Sequence, residues 1–151
     1  MPVILPVKGV SPGFGRNIFI APNATIVGDV VMGDDCSIWF NAVVRGDVNS
    51  VRIGNNVSIG HNAIVHGCTI RDNVLIGMGS IIMDGAEIGC NSIIAAGAVV
   101  LENTKVEQGA IYAGIPARKL KDIPQDLIHG EIERIANNYI QYADWFREPK
   151  A

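Results

Sequence analysis

Two histidines, His61 and His66, are the residues of this sequence with the clearest capacity for chemistry. They stand within 59–68 (IGHNAIVHGC), and the 151-residue chain has only three histidines in all. Imidazole is a common ligand of zinc, and a catalytic zinc keeps one coordination position open for water. An imidazole can also act as a general base without a metal. The alternative is that both histidines are solvent-facing polar residues without a chemical role. The spacing of the two histidines, taken alone, favours this alternative.

The elements that would position these histidines are set by a six-residue repeat. An aliphatic residue begins each unit, glycine often follows it, and a small residue usually stands four positions further on. The series slips by three residues between Val44 and Ile53 and contracts by one between Val65 and Ile70. The residues that begin the units are Ile20, Ile26, Met32, Ile38, Val44, Ile53, Ile59, Val65, Ile70, Ile76, Ile82, Ile88, Ile94, Val100, Val106 and Tyr112.

A six-residue unit is too short for a strand and a helix, so each unit is one short strand followed by a turn. Three units make a triangular coil, and successive coils stack at the β spacing of about 4.8 Å. Glycine and asparagine suit the corners, where φ is often positive. The pattern predicts a mainly β chain, and it resembles the hexapeptide repeat of the left-handed parallel β-helix, a fold outside the usual right-handed crossover rule. The residues expected inside are Ile38, Val44, Ile59, Val65, Ile76, Ile82 and Ile94.

Both histidines fall at outward positions, in successive units and therefore on successive faces around a corner. One chain is not expected to bind one metal with both. Two copies packed side by side in a three-fold trimer could do so, one giving His61 and the other His66. The outward residues Trp39, Phe40 and Met78 lie near this coil and are large and apolar, which predicts a buried contact between copies.

After Pro124 the pattern becomes that of an amphipathic helix. Apolar residues follow at spacings of three and four, which places them on one helical stripe. They are Ile128, Ile132, Ile135, Tyr139, Tyr142 and Phe146. We expect this C-terminal α-helix to pack on the outside of the β-helix and cap it. The sequence thus predicts one domain over 1–151, with the β-helix at about 11–117 and the capping helix at about 124–147.

Composition narrows the function classes. The chain is 48% hydrophobic but only 6% aromatic, and its net charge of -3 gives no basic surface for nucleic acid. Residues 1–10 (MPVILPVKGV) contain neither the charged segment of a signal peptide nor a membrane-spanning run. Cys36, Cys68 and Cys90 lack metal-type spacing, so free thiols in a reducing cytoplasm are expected, and with them a cytoplasmic location.

Three segments resemble the γ-class carbonic anhydrase-like family: 39–47 (WFNAVVRGD), 59–68 (IGHNAIVHGC) and 114–118 (GIPAR). The likeness covers nearly the whole chain, and the first two motifs are specific, whereas the third is shared with hexapeptide acyltransferases. The resemblance implies a homotrimer with a metal at each subunit interface, usually zinc and sometimes iron or cobalt. It also implies a lyase activity, the reversible hydration of CO2 to bicarbonate by a metal-bound hydroxide.

The resemblance also implies roles for single residues. His66 would be one of two histidine ligands from one chain, and His61 would be the ligand from its neighbour. Arg45 and Asp47 would form the charge pair of the family across the interface. Tyr139 is a candidate to approach the metal from the helix, although its place on the apolar stripe favours a core role.

The sequence departs from the family between these motifs. Family members usually have about one further coil there, which carries a glutamine and the first histidine ligand. In this chain 51–56 runs directly into 57–61, so the register stacks Arg45 on His66. His129, on the polar side of the predicted helix, does not replace the missing ligand. Partial metal occupancy or weak activity is therefore expected.

Two other functions stay open at this point. The first is a structural or assembly subunit that keeps the scaffold and lacks activity, which the missing ligand favours. The second is an acyl-coenzyme A transferase that uses His61 or His66 as a general base. The combination of Arg45 with both histidines counts against the second.

Overall fold

The computed structural model describes residues 1–128 and 133–147. Strands follow one another through residue 122, and helices come after them. The strands are β1 (Val3–Leu5), β2 (Gly13–Phe14), β3 (Phe19–Ile20), β4 (Thr25–Met32), β5 (Ser37–Ile38), β6 (Val43–Ile53), β7 (Ser58–Ile59), β8 (Ile64–His66), β9 (Thr69–Ile70), β10 (Leu75–Ile76), β11 (Ile81–Ile82), β12 (Glu87–Ile88), β13 (Ile93–Ile94), β14 (Val99–Val100), β15 (Lys105–Val106), β16 (Ala110–Ala113) and β17 (Arg118–Asp122). The helices are α1 (Gln125–Leu127) and α2 (Glu133–Asp144).

The strands form the three faces of a parallel β-helix. The first face stacks β3, β5, β7, β10, β13 and β16 in parallel, and β17 adds to its end in the antiparallel direction. Strands β4 and β6 are long, and each contributes to both the second and the third face, so these two faces form one sheet. On the second face β8, β11 and β14 continue this stack, and on the third face β9, β12 and β15 do so. The predicted fold class, a mainly β solenoid of hexapeptide repeats with a C-terminal helix, is confirmed.

The interior is a stack of the aliphatic residues that begin the repeat units. Ile59, for example, pairs with Ile38 in the preceding coil and with Ile76 in the following one. All seven residues predicted to lie inside have 0% exposure. The register read from the six-residue period is therefore correct, including its two irregularities.

An asparagine ladder holds one corner of the solenoid. Asn56, Asn73 and Asn91 have φ values of 59°, 55° and 58°, in the left-handed region that asparagine tolerates better than most residues. Their side-chain amides donate to one another from coil to coil, Asn56 to Asn73 at 2.9 Å and Asn73 to Asn91 at 3.1 Å. Because this ladder fixes how the coils stack, it also fixes which outward residues become neighbours.

Strand pairing extends beyond the predicted β-helix limits of 11–117. On the N-terminal side β1 pairs with β4, and on the C-terminal side β17 pairs with β16. Helices α1 and α2 fall within the predicted helical segment. His129 and Ile132, which the sequence places in the capping helix, lie outside the described residues. Within 1–128 and 133–147, no helix is both long enough and apolar enough to cross a membrane.

The C-terminal segment covers an aromatic patch on the first face. The ring of Tyr139 lies 5.2 Å from that of Trp39, and Phe146 lies 6.3 Å from it. Trp39 is consequently only 3% exposed within a single chain. The prediction that Trp39 contributes to a contact between copies is wrong, since the residue lies beneath the chain's own helix. Met78, by contrast, is 56% exposed.

Burial should make two of the three cysteines inert. It raises the pKa of the Cys36 thiol to about 11 and that of Cys68 to about 12, and only the thiolate reacts. Cys90 is partly exposed. We expect one fast-reacting thiol per chain with Ellman's reagent in the folded protein and all three after denaturation. Mass spectrometry should locate the fast label at Cys90, and rapid labelling of Cys68 in the folded protein would contradict the burial.

Candidate functional site

The parallel register of β6 and β8 brings Arg45 and His66 side by side on the second face. Val44 pairs with Val65 below them, and Arg45 pairs with His66, with no coil between the two strands. The direct stacking of Arg45 on His66 read from the sequence is therefore confirmed. It places an imidazole next to a guanidinium on adjacent coils of the second face.

Asp47 joins this pair through both of its carboxylate oxygens. Arg45 Nη2 donates to Oδ2 at 2.8 Å, and His66 Nε2 lies 3.2 Å from Oδ1. The Val48 backbone N–H also donates to Oδ1, at 3.0 Å. The hydrogen bond from Arg45, more than that from His66, lowers the pKa of Asp47 to about 2. Asp47 is therefore a carboxylate at neutral pH.

Asp84 approaches His66 from the other side of the ring. Its Oδ1 lies 2.6 Å from His66 Nδ1, and Asn49 Nδ2 donates to its Oδ2 at 3.0 Å. The Oδ1 atom is buried and accepts no well-aligned hydrogen bond from the described residues, so its contact with His66 is a close approach and not a hydrogen bond. Both nitrogens of His66 thus face carboxylates of the same chain.

Sequence reasoning did not identify Asp84. The signal that could have found it is the coil offset, because the Gly85 N–H, next to Asp84, donates to the Gly67 carbonyl of the preceding coil. A side chain at Gly67 would meet Asp84 Oδ1 at 2.6 Å. The glycine therefore leaves the room in which Asp84 reaches His66.

His61 lies apart from this cluster, at a corner next to the aromatic patch. Its ring stacks on Phe40 at 5.8 Å and meets the ring of Trp39 edge-on at 5.5 Å. Tyr139 lies on the far side of Trp39 and is half-buried, and this burial raises the pKa of its hydroxyl. The structure thus brings together Arg45, Asp47 and His66 and leaves His61 and Tyr139 in a second group.

The side chains of a single chain can be compared with what a metal ion needs as ligands. In the part of the chain that the structure describes, no group of three or more His, Cys, Asp and Glu side chains is placed to hold an ion. The three-histidine site of the family therefore does not fit a single chain. What one chain does offer is His66 Nε2 with Asp47 Oδ1 beside it, an imidazole nitrogen and a carboxylate oxygen that zinc and iron both accept.

Comparison with known proteins places this geometry in a family. Residues 14–46, 50–84 and 67–102 match the bacterial transferase hexapeptide family of six repeats. A carbonic anhydrase of Geobacillus kaustophilus is 41% identical over 167 positions, which cover 96% of this chain and 91% of that protein. The mitochondrial gamma carbonic anhydrase 2 of Arabidopsis thaliana is 34% identical over 88% of this chain and 58% of its own length.

A solved structure of the same fold also matches this chain. The crystal structure of a hexapeptide transferase family protein from Anaplasma phagocytophilum matches with a TM-score of 0.79 and 35% identity, over 96% of this chain and 98% of that one. The six-residue repeat and the solenoid it forms define a hexapeptide-repeat protein. Within that class, the chain belongs to the γ-class carbonic anhydrase-like family.

The length of one alignment bears on the missing coil. The match to the Geobacillus protein extends over 167 positions, whereas the whole chain has 151 residues. The relative therefore carries residues within the aligned region that this chain lacks. A missing coil accounts for a difference of this kind.

Proposed function

We propose that this chain is a carbonic anhydrase-like lyase that interconverts CO2 and bicarbonate as a homotrimer. In the proposal His66 of one copy and His61 of a neighbouring copy bind one zinc ion, with iron and cobalt as alternatives. The observation that carries it is the cluster of Arg45, Asp47 and His66 on the second face, on a scaffold shared with relatives named carbonic anhydrase.

The surface around the cluster supports a contact between copies. Ile64 pairs with Val43 of the adjacent coil, lies two residues before His66 and is 37% exposed. Met78 is 56% exposed. In the proposed trimer these side chains would be buried between copies. The same packing would bring a second copy's corner, with its His61, toward the second face.

Each residue of the cluster has a role in this proposal. A bound zinc ion would supply an activated water and a Lewis acid for CO2 hydration. Arg45 holds Asp47 in place through the 2.8 Å contact, and the two charges balance each other. Asp84 orients the His66 ring from its Nδ1 side.

The test is a metal assay beside a CO2 hydration assay on the purified protein. Because only two of the three family histidines are present, we expect zinc below one ion per chain, or hydration much slower than that of a complete γ-class enzyme. Adding Zn²⁺ should raise the hydration rate and a chelator should remove it.

Two results would contradict the proposal. One is a hydration rate that does not exceed the uncatalysed rate with Zn²⁺, Fe²⁺ or Co²⁺ present. The other is a monomer by light scattering at micromolar concentration, because neither histidine finds the other within one chain. A trimer without metal-dependent hydration would instead support the second candidate below.

That second candidate is a structural or assembly subunit of the same scaffold without catalytic activity. The specific observation in its favour is that both ring nitrogens of His66 face carboxylates of the same chain, Asp47 at 3.2 Å and Asp84 at 2.6 Å. An imidazole held in this way stabilises the surface as an ion-pair centre when it is protonated. The metal and hydration assays distinguish the two functions directly.

A further inference from the structure

We propose that Asp47 is a metal ligand in this chain and replaces the histidine that the missing coil would have carried. The site would then consist of His66 and Asp47 from one copy and His61 from its neighbour, two imidazoles and one carboxylate. This inference rests on the proposed function, because it assigns the third donor of the same interface site. The same donor classes occur in catalytic zinc sites and in non-haem iron sites.

The distance between the two donor atoms carries the inference. Asp47 Oδ1 and His66 Nε2 are 3.2 Å apart. Two ligands of one tetrahedral zinc, each about 2.1 Å from the ion, lie about 3.4 Å from each other. The two atoms share a proton in a hydrogen bond here, and an ion that replaced this proton would have both atoms as ligands. Asp84 does not match, because its Oδ1 is only 2.6 Å from His66 Nδ1.

The remaining contacts of Asp47 leave Oδ1 available. Arg45 occupies Oδ2 at 2.8 Å, and the Val48 N–H takes one of the two lone-pair positions on Oδ1 at 3.0 Å. These two contacts fix the orientation of the Asp47 carboxylate. The second lone pair of Oδ1 therefore has one neighbour in the described structure, His66 Nε2, and an ion would enter between these two atoms.

Asp84 is the positioning residue of this arrangement. Its Oδ1 lies 2.6 Å from Nδ1 and restricts rotation of the ring, so Nε2 stays directed at Asp47 Oδ1. Asn49 fixes the other oxygen of Asp84 at 3.0 Å. The two carboxylates therefore have different roles on the two nitrogens of one ring.

The short solenoid is what makes Asp47 available. Arg45 pairs directly with His66 across adjacent coils, which brings Asp47 to the level of the ring. One further coil between these strands would separate them by an additional β spacing of about 4.8 Å. At that separation a carboxylate at position 47 could not reach Nε2. Loss of the coil thus removes one ligand and brings another within reach.

The experiment compares five forms of the full chain: wild type, Asp47→Ala, Asp47→His, His66→Ala and the matched control Asp29→Ala. Asp29 also forms an arginine pair on the solenoid surface, with Arg52 at 2.9 Å and 3.2 Å, but has no histidine beside it. Zn²⁺ affinity is measured by competition with a chelator. Co²⁺ absorption spectra report the ligand set, and light scattering reports the oligomer.

We expect Asp47→Ala to weaken Zn²⁺ binding by at least about 100-fold, since loss of outer-shell partners alone costs 10- to 100-fold. Asp47→His breaks the Arg45 contact equally but supplies a new imidazole, so it should retain Zn²⁺ binding and change the Co²⁺ spectrum. Asp29→Ala should bind as the wild type does.

Three outcomes would overturn the inference. If Asp47→Ala binds Zn²⁺ like the control while His66→Ala does not, Asp47 is not a ligand and the proposed function stands. If Asp47→Ala and Asp47→His lose Zn²⁺ equally, the Arg45 pair has a structural role instead. If the wild type binds no Zn²⁺, the inference falls together with the zinc part of the proposed function, which the hydration assay tests separately.

Discussion

His66→Ala is expected to abolish zinc binding at the proposed site and leave the oligomeric state of the wild type unchanged. The imidazole lies outside the solenoid on the second face and fills none of the interior, so its loss leaves no core cavity. The change removes one donor of the proposed site, and we therefore expect the Zn²⁺ affinity to fall by at least about 100-fold. The zinc content after dialysis against a chelator, with light scattering on the same sample, measures both effects.

Thr69→Ala is the control for this variant. Thr69 is likewise outward on a neighbouring strand, where it pairs with Arg52, and it lies outside the histidine cluster. The control should keep the zinc content and the mass of the wild type. Stoichiometric zinc retained in His66→Ala would mean that the ligands lie elsewhere and that the ligand roles implied by the family do not hold in this chain.

Ile76→Ala should cause a large loss of folding stability. Ile76 is 0% exposed and lies between Ile59 and Ile94 in the interior stack. Backbone hydrogen bonds to both neighbouring coils hold its strand in place, so the cavity cannot collapse. We expect the free energy of unfolding to fall by about 2–5 kcal/mol. Urea unfolding at a fixed protein concentration measures it, because association also contributes to apparent stability.

The matched change on the surface is Ile115→Ala, at a residue that is 75% exposed. Its expected effect lies within about 0.5 kcal/mol. Equal losses in the two variants would show that side-chain burial within the prism does not dominate the stability of this solenoid. A fall confined to Ile76→Ala would agree with the register described above.

The solenoid could be predicted because its information is local and repeated. Each inward residue stands at the same place in a six-residue unit, so an error at one unit would have been exposed by the next. Residues such as Ile38 and Val65 therefore fell correctly inside. The repeat count also predicted the stacking of Arg45 on His66, because the number of residues between two paired strands determines which residues lie opposite each other.

What failed depends on contacts between distant parts of the chain. Trp39 is outward by its position in the unit, but the helix that covers it begins nearly a hundred residues later, and the repeat does not say on which face that helix packs. Asp84 was missed for a related reason. Its relation to His66 appears only when one coil is placed on the next and the turn at Gly67 is known.

The burial of Trp39 gives the molecule an optical reporter. The chain has two tryptophans, and the other, Trp145, is 73% exposed. A soluble quencher should therefore extinguish the emission of Trp145 and spare that of Trp39. Undocking of the C-terminal helix would shift the Trp39 emission to the red while the coils stay folded. Because His61 contacts the same indole at 5.5 Å, occupancy of that imidazole would also register in the emission.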